Sequence, residues 1–305
     1  MSAPPTSHTT LTDATSAAIS TPGAAPGLPR ELTEILARCL SRAAQPVPQG
    51  LLRFSLGEWP LGWIHPMRVP VLQACWPELQ LAPGRAVWDA VGLDLAQRSA
   101  RLAAVAAALR SQGAITGWRD EAFACEQPVP DPCTAPGDTL FELERSAFRF
   151  FGLMSRAVHI NGFLPGGRLL CGRRALDKAT DPGRLDNLAA GGVPVGEPWQ
   201  DCARRELWEE AGVPLSLSQG LTPRGQLRST RMTPEGLHDE VLHVYSLVLP
   251  PGFVAVNRDG EVSEFLSLDL ETLAQRLRQD EFSVDAAAVT AWGLLHAQGR
   301  ADLQA

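Results

Sequence analysis

The sequence predicts an α/β (α+β) chain. A sandwich around a mixed sheet spans residues 146–305, preceded by a smaller α+β module at 31–145 and a disordered leader at 1–30. Three observations predict it. In the second half, strand-like apolar runs interleave with a central helical pattern and end in two more helices. The first half mixes short strand-like runs with a long Ala/Leu-rich helical stretch. Between them "EQPVPDPCTAPGD", residues 126–138, holds four prolines and little apolar content, the mark of a surface loop near a junction.

From the N-terminus, "MSAPPTSHTTLTDATSAAISTPGAAPGLPR" is rich in Ser, Thr, Pro and Ala and lacks the basic start and continuous apolar run of a signal peptide, so it reads as a leader. "ELTEILARCLSRAA" places Leu32, Ile35, Leu36 and Leu40 at helical spacing, which predicts a short amphipathic helix. The long helix of the first module lies in "AVWDAVGLDLAQRSARLAAVAAALRSQG" and is closed by Gly113. Trp59, Trp63, Trp76, Trp88 and Trp118 read as core or lid aromatics, because large rings mostly supply buried area. In the second module, apolar runs at 157–163 and 168–172 joined by "LPGG" predict a hairpin. Strands are expected near 225–230, 240–248 and 261–268, a loop at 250–260, and helices at 270–279 and 284–296.

Composition narrows the function. With 45% hydrophobic and 20% charged residues the chain is an ordinary globular one, and its net charge of −7 offers no basic field for a nucleic-acid polymer. No run of 18 apolar residues is present to span a bilayer. The six cysteines form no C-x-x-C pair, which predicts reduced thiols and a cytoplasmic setting without a zinc site.

The chemistry gathers in "GGVPVGEPWQDCARRELWEEAGV", residues 191–213. Glu206, Glu209 and Glu210 stand at i, i+3 and i+4, so a helix would bring them to one face. Each like-charge pair there costs about 0.2–0.5 kcal/mol, and acids in a last turn oppose the helix dipole. A divalent cation removes both penalties. A solvated acidic face is the ordinary alternative, but the register of the surrounding residues disfavours it. Gly191, five residues, Glu197, seven residues, then Arg205-Glu206-Leu207-Trp208-Glu209-Glu210-Ala211-Gly212-Val213 is a complete Nudix box. The chain therefore resembles the Nudix superfamily, whose fold is an α/β/α sandwich with a mixed sheet.

That resemblance implies that Glu206, Glu209 and Glu210 hold Mg²⁺ or Mn²⁺ with a backbone carbonyl at or before Gly191, and that Arg205, partnered by Glu197, orients the glutamates. A further acid often comes from a later loop. "NRDGEVSEF" offers Asp259, Glu261 and Glu264, of which Glu261 is the choice, with a strand-edge surface acid as the alternative. Pro198 stands where superfamily members often have a small hydroxyl residue, so the helix should start without its capping bond.

Three flanking pieces, "FGLMSRAVHINGFL", "GRRALDKATDPGRLDNLAAGG" and "NRDGEVSEF", resemble the thiamine pyrophosphokinase-related Nudix branch, whose members carry an N-terminal domain of unknown function. "RLAAVAAALRSQGAITGWRDEAFACE" resembles the end of that domain. The branch implies a small-molecule diphosphate substrate: thiamine diphosphate or, preferentially, its oxidised and damaged analogues, cleaved to monophosphate and phosphate. Arg173, Arg174 and Lys178 would clamp the diphosphate, against the alternative of solvated surface cations. His159 and Asn161 would contact the organic base or else support the sheet. Asp186 and Asn187 would shape the turn before Gly191. Competing readings are a diphosphatase for oxidised guanine nucleotides, an isopentenyl diphosphate isomerase, and a ligand sensor that has lost turnover.

Overall fold

The computed structural model describes residues 28–296, so the leader expected at 1–30 falls, save for its last three positions, outside the described residues. Helix α1 (Arg30–Ala43) forms where the apolar stripe predicts it and buries Leu32, Ile35, Leu36 and Leu40. After it, β1 (Leu52–Leu56), β2 (Trp59–Ile64), β3 (Leu79–Ala82) and β4 (Arg85–Trp88) build a four-stranded sheet in the order β2-β1-β4-β3. Helix α2 (Val69–Cys75) lies between β2 and β3. Helix α3 (Leu95–Ser111) starts at a capping box made by Asp94 and Gln97, which satisfies two otherwise orphan backbone donors. Gly113 follows its end with φ +70°, a conformation that favours glycine.

The proline-rich residues 126–138 lead from β5 (Ala122–Glu126) to its antiparallel partner β6 (Thr139–Glu144). Helix α4 (Arg145–Phe151) then runs into the second half. Trp76 and Trp88 are core residues, packed edge-on at 5.3 Å between ring centroids, with Phe54 and Phe151 around Trp76. Trp59 and Trp118 pack against this core from its margin. Rings of this size bury large apolar areas, and they share the core with Leu56, Ile64, Leu72, Leu102 and Leu109.

The second sheet is mixed, as the sequence predicts. It comprises β7 (Met154–Leu164), β8 (Arg168–Arg174), β9 (Leu185–Asp186), β10 (Ala189–Gly192), β11 (Thr222–Thr233), β12 (Gly236–Val248) and β13 (Val262–Leu268). The path is β11-β12-β7-β8-β13, with β10 paired to β7 and β9 to β8. The β7–β12 pair is parallel, and every other pair of this sheet is antiparallel. The strands β11 and β12 run longer than their apolar cores suggest, and β9 and β10 carry no strand signal of their own. "AAGG" has no β-branched or aromatic residue, and only its pairing to β7 makes it a strand.

Helix α5 (Trp199–Ala211), with the short α6 (Leu215–Ser218), covers one face of this sheet. Helices α7 (Leu270–Arg278) and α8 (Val284–Leu295) cover the other. Helix α1 joins them there, its leucines packed with Val289 and Leu294 of α8 and with Leu273 and Leu277 of α7. Strand alternation decides which residue faces which layer. On β7, Val158 and Ile160 point to α5, while Ala157 and Phe163 point to α8.

Candidate active site

Helix α5 begins at Pro198 without a side-chain cap, and Asp201 in its first turn complements the helix dipole instead. Its inner face, Cys202, Ala203 and Leu207, is buried against the sheet. That anchoring aims the second half of the helix at the loops beyond the strands. Glu206 and Glu210 are buried and Glu209 is half-buried.

One arginine braces them. Arg205 forks onto Glu197 with Nε and Nη2 at 2.9 and 2.8 Å, while its Nη1 reaches Glu206 at 2.8 Å and Glu209 at 2.9 Å. Bidentate guanidinium pairs of this kind fix direction as well as charge. The Glu206 carboxylate lies directly under Gly191: a Cβ at residue 191 would stand 2.0 Å from Glu206 Oε1, so only glycine leaves it room. The neighbouring Ala190 N–H donates to Glu210 Oε2 at 2.9 Å.

The loop after β12 supplies the remaining acids. It is strapped to the end of α5, where Val256 N–H donates to Ala211 O at 3.0 Å and Arg258 N–H donates to Glu209 O at 2.9 Å. These bonds satisfy carbonyls that a helix end otherwise leaves open. Gly212 stops the helix at φ +65°, and a Cβ there would lie 2.8 Å from Val256 O. The Arg258 guanidinium stacks over Trp208, 3.8 Å from the ring centroid. So placed, the loop brings carboxylate oxygens of Asp259 and Glu261 within 4.8 Å of Glu210 and of each other. Lys178 pairs with Glu261.

Burial pushes the Glu206 carboxyl up to about 7, with Arg205 opposing and Glu209 and Glu261 adding to the rise. Glu210 is raised well above the usual range, first by burial and then by Glu206 and Asp186. Burial also acts to raise Glu261, but the Lys178 hydrogen bond and charge, helped by Arg119 and Arg174, hold it below its ordinary value. Glu197 is lowered by its bond to Arg205. The site is thus a partly buried group of carboxylates short of positive charge, with hard oxygen donors and a glycine-lined cradle. Mg²⁺ and Mn²⁺ favour such oxygen donors, and the residues fit a divalent cation of that class.

Of the residues singled out in the sequence, Arg205, Glu206, Glu209, Glu210, Gly191, Glu261 and Lys178 are brought together. Arg174 stands at the margin, bonded to Asp186 Oδ2 at 2.8 Å and Thr180 O at 3.0 Å. Arg173, His159 and Asn161 are not brought to the glutamates. Arg173 bonds Glu264 and the Gly183 carbonyl, and alternation along β8 puts it with Leu169 and Cys171 on the α8 side. His159 and Asn161 follow the odd positions of β7 into the same layer. There the His159 Nδ1 lies 2.8 Å from Asn187 Oδ1, while Asn161 receives Asn187 Nδ2 at 3.0 Å and donates to Val289 O at 3.2 Å. These bonds match the second of the roles the sequence left open to them. Asp259 was legible only as one of three acids, and Arg119 gave no signal because it comes from the first module.

Residues 155–291 match the family model of the NUDIX domain, and residues 33–155 match that of a domain of unknown function, DUF4743. The chain carries a C-terminal Nudix domain. Relatives of this Nudix chain include Nudix hydrolase 24, chloroplastic, of Arabidopsis thaliana, 33% identical over 206 residues that make up 67% of this chain and 55% of the relative. Nudix hydrolase 20, chloroplastic, of the same plant is 34% identical over 188 residues, 61% of this chain and 49% of the relative. The chain thus spans about half the length of the curated relatives it matches. Among solved structures, DR0079 from Deinococcus radiodurans is similar at 20% identity and a TM-score of 0.44, covering 56% of this chain and 97% of that one.

Proposed function

We propose that the protein is a divalent-cation-dependent hydrolase of diphosphates, acting on thiamine diphosphate or its oxidised and damaged analogues to release the monophosphate and phosphate. The observation that carries the hydrolase reading is the meeting of Glu206, Glu209 and Glu210 with Asp259 and Glu261 at the Gly191 cradle, braced by Arg205. The substrate reading rests on the resemblance of the segments at 151–164, 172–192 and 257–265 to the thiamine pyrophosphokinase-related branch.

Glu206, Glu209 and Glu210, with the Gly191 carbonyl, would hold Mg²⁺ or Mn²⁺. A cation bound there neutralises developing charge on the leaving oxygen and lowers the pKa of a coordinated water. The chain's own residues do the rest. Arg205 keeps the Glu206 and Glu209 carboxylates in place. Lys178 and Arg174 meet the phosphate oxygens. Glu261, kept ionised by Lys178, accepts the proton that water loses as its oxygen bonds to phosphorus and the bridging P–O bond breaks. Among the described residues no helix is long and apolar enough to cross a membrane. The cytoplasmic setting is proposed from the free cysteines, none of them in a C-x-x-C pair.

Phosphate release across thiamine diphosphate, oxothiamine diphosphate, 8-oxo-dGDP, ADP-ribose and isopentenyl diphosphate, with Mg²⁺ or Mn²⁺ and with chelator, tests the proposal. Turnover of the thiamine compounds that chelator abolishes is expected. A preference above tenfold in kcat/KM for a nucleotide, about 1.4 kcal/mol of transition-state stabilisation, would sink the thiamine assignment. No turnover of any compound, with ligand binding unchanged in Glu209→Gln, would sink the hydrolase.

A further inference from the structure

The N-terminal module is docked on the Nudix domain at the approach to the carboxylates. Val195, in the segment leading into α5, donates its N–H to Ala122 O of β5 at 2.9 Å. The Phe123 ring fills the space over Gly192, where an added Cβ would lie 2.3 Å from its Cζ. Glu126, at the end of β5, grips Arg156 of β7 through two bonds of 2.6 Å, with both side chains almost fully buried. Three separate attachments therefore fix β5, and with it the turn that precedes it.

That turn has little freedom of its own. The N–H groups of Arg119 and Glu121 both donate to the Glu144 carboxylate, at 3.0 and 3.2 Å. Trp118 Nε1 donates to Asp120 at 2.8 Å, and the Arg110 guanidinium lies over the Trp118 ring at 4.7 Å. Gly117 sits against Ala179, next to Lys178, with an added Cβ 4.0 Å from the Ala179 methyl. The turn thus stands beside the loop that carries Lys178 to Glu261.

Among the arginines around it, Arg145 is bonded to Glu121 and Arg205 to Glu197. Arg119 differs. Its side chain is exposed and makes no hydrogen bond or ion pair with any described residue, and its charge acts on Glu261. A guanidinium left open on a braced turn at the rim of a diphosphate site presents a ready fork for phosphate oxygens.

We propose that Arg119, supplied by the N-terminal module, binds the terminal phosphate of the diphosphate substrate, so that the ligand site is shared between the two modules. The inference rests on the diphosphatase reading above and assigns the N-terminal module a direct part in it. Arg119 touches the ligand and not the cation, and its loss is therefore a loss of ligand affinity.

The test is calorimetric titration of the full chain with imidodiphosphate, a diphosphate that resists hydrolysis, in the presence of Mg²⁺. Arg119→Ala should weaken binding at least tenfold, Arg119→Lys should recover part of the loss, and Arg85→Ala, an exposed charge on the first sheet, should change nothing. In turnover, KM should rise at least tenfold while kcat moves less than threefold. Titration with Mn²⁺ alone should agree between wild type and Arg119→Ala within twofold. Unchanged imidodiphosphate affinity in Arg119→Ala overturns the inference, as does a parallel fall in Mn²⁺ affinity. Wild-type turnover, measured alongside, separates the two readings. A wild type that hydrolyses diphosphates with Arg119→Ala unimpaired defeats only the Arg119 site, whereas a wild type that binds imidodiphosphate through Arg119 without hydrolysing anything defeats only the diphosphatase.

Discussion

At the start of β12, Asp285 and Glu240 meet Arg231 and His238; beyond its far end, Glu206, Glu209 and Glu210 meet Asp259 and Glu261. Both groups are acidic and hold buried members, yet they are compensated differently. Asp285 receives both Nη atoms of Arg231 at 2.6 and 2.8 Å and the Ser229 hydroxyl at 2.6 Å, and His238 Nε2 stands 3.3 Å away. Glu240 accepts from the Ser155 hydroxyl at 2.7 Å. Burial alone would raise the Asp285 carboxyl, but His238 and Arg231 hold it well below the carboxylate range. In the other cluster burial wins, and Glu206 and Glu210 are raised. Asp285 is gripped at both oxygens by one guanidinium, whereas in the second group Arg205 and Lys178 are shared among more carboxylates than they can pair. A buried acid with a matched partner is structure; a buried group of acids without enough partners is a place for a cation from outside.

The largest way to break the comparison is Asp285→Ala. It strands the Arg231 charge in the interior, and denaturant unfolding should show a loss of about 3–5 kcal/mol. Glu209→Gln should do the reverse. Turnover should fall by about 100-fold, about 2.7 kcal/mol, while unfolding in chelator shows equal or greater stability because like-charge repulsion is relieved. A comparable loss of stability in both variants would mean that the two clusters are alike.

The two histidines of β12 sharpen the contrast. His238 faces carboxylates, whereas His243 packs on Trp199 at 3.8 Å between ring centroids, with the planes tilted by 38°. Burial, and then Arg156, lower His243 from 6.5 to about 3. The unfolded chain takes up that proton near 6.5 and the folded chain refuses it until about 3, so stability falls as pH falls through this window. The slope should be about 1.4 kcal/mol per pH unit, absent at neutral pH, and His243→Gln should remove it from a pH series of unfolding curves. The smallest effect belongs to Trp208→Ala. Loss of the Arg258 stack should cost about 0.5–1 kcal/mol and raise the Mg²⁺ concentration needed for half-maximal turnover, since that stack helps seat the loop bearing Asp259 and Glu261.

Much of this was legible beforehand because it is local. Helix α5 follows from the register of "ARRELWEEAG", and the β7–β8 hairpin from "LPGG", whose two glycines both take positive φ. Pro198 correctly announced a helix start without a side-chain cap. The candidates not brought to the carboxylates, Arg173, His159 and Asn161, share one reason. "HING" reads the same whichever face of β7 its odd positions occupy, and only the packing of α8 against that face decides it. Arg173 and Arg174 are adjacent in sequence and opposite in space.

By itself, the sequence determined the carboxylate helix and the cation chemistry its spacing implies, since helical spacing needs no distant partner to be read, and the resemblance added the Arg205 brace. Glu261 and Lys178 were named from the sequence, but only the tertiary structure joined Asp259 and Arg119 to them. Asp259 and Glu261 arrive because a loop is tied to the carbonyls of α5, and Arg119 because β5 is docked across the segment leading into that helix. These are contacts between chain segments far apart in sequence. No periodicity records them, and their positions follow from burial and hydrogen bonding summed over the whole fold.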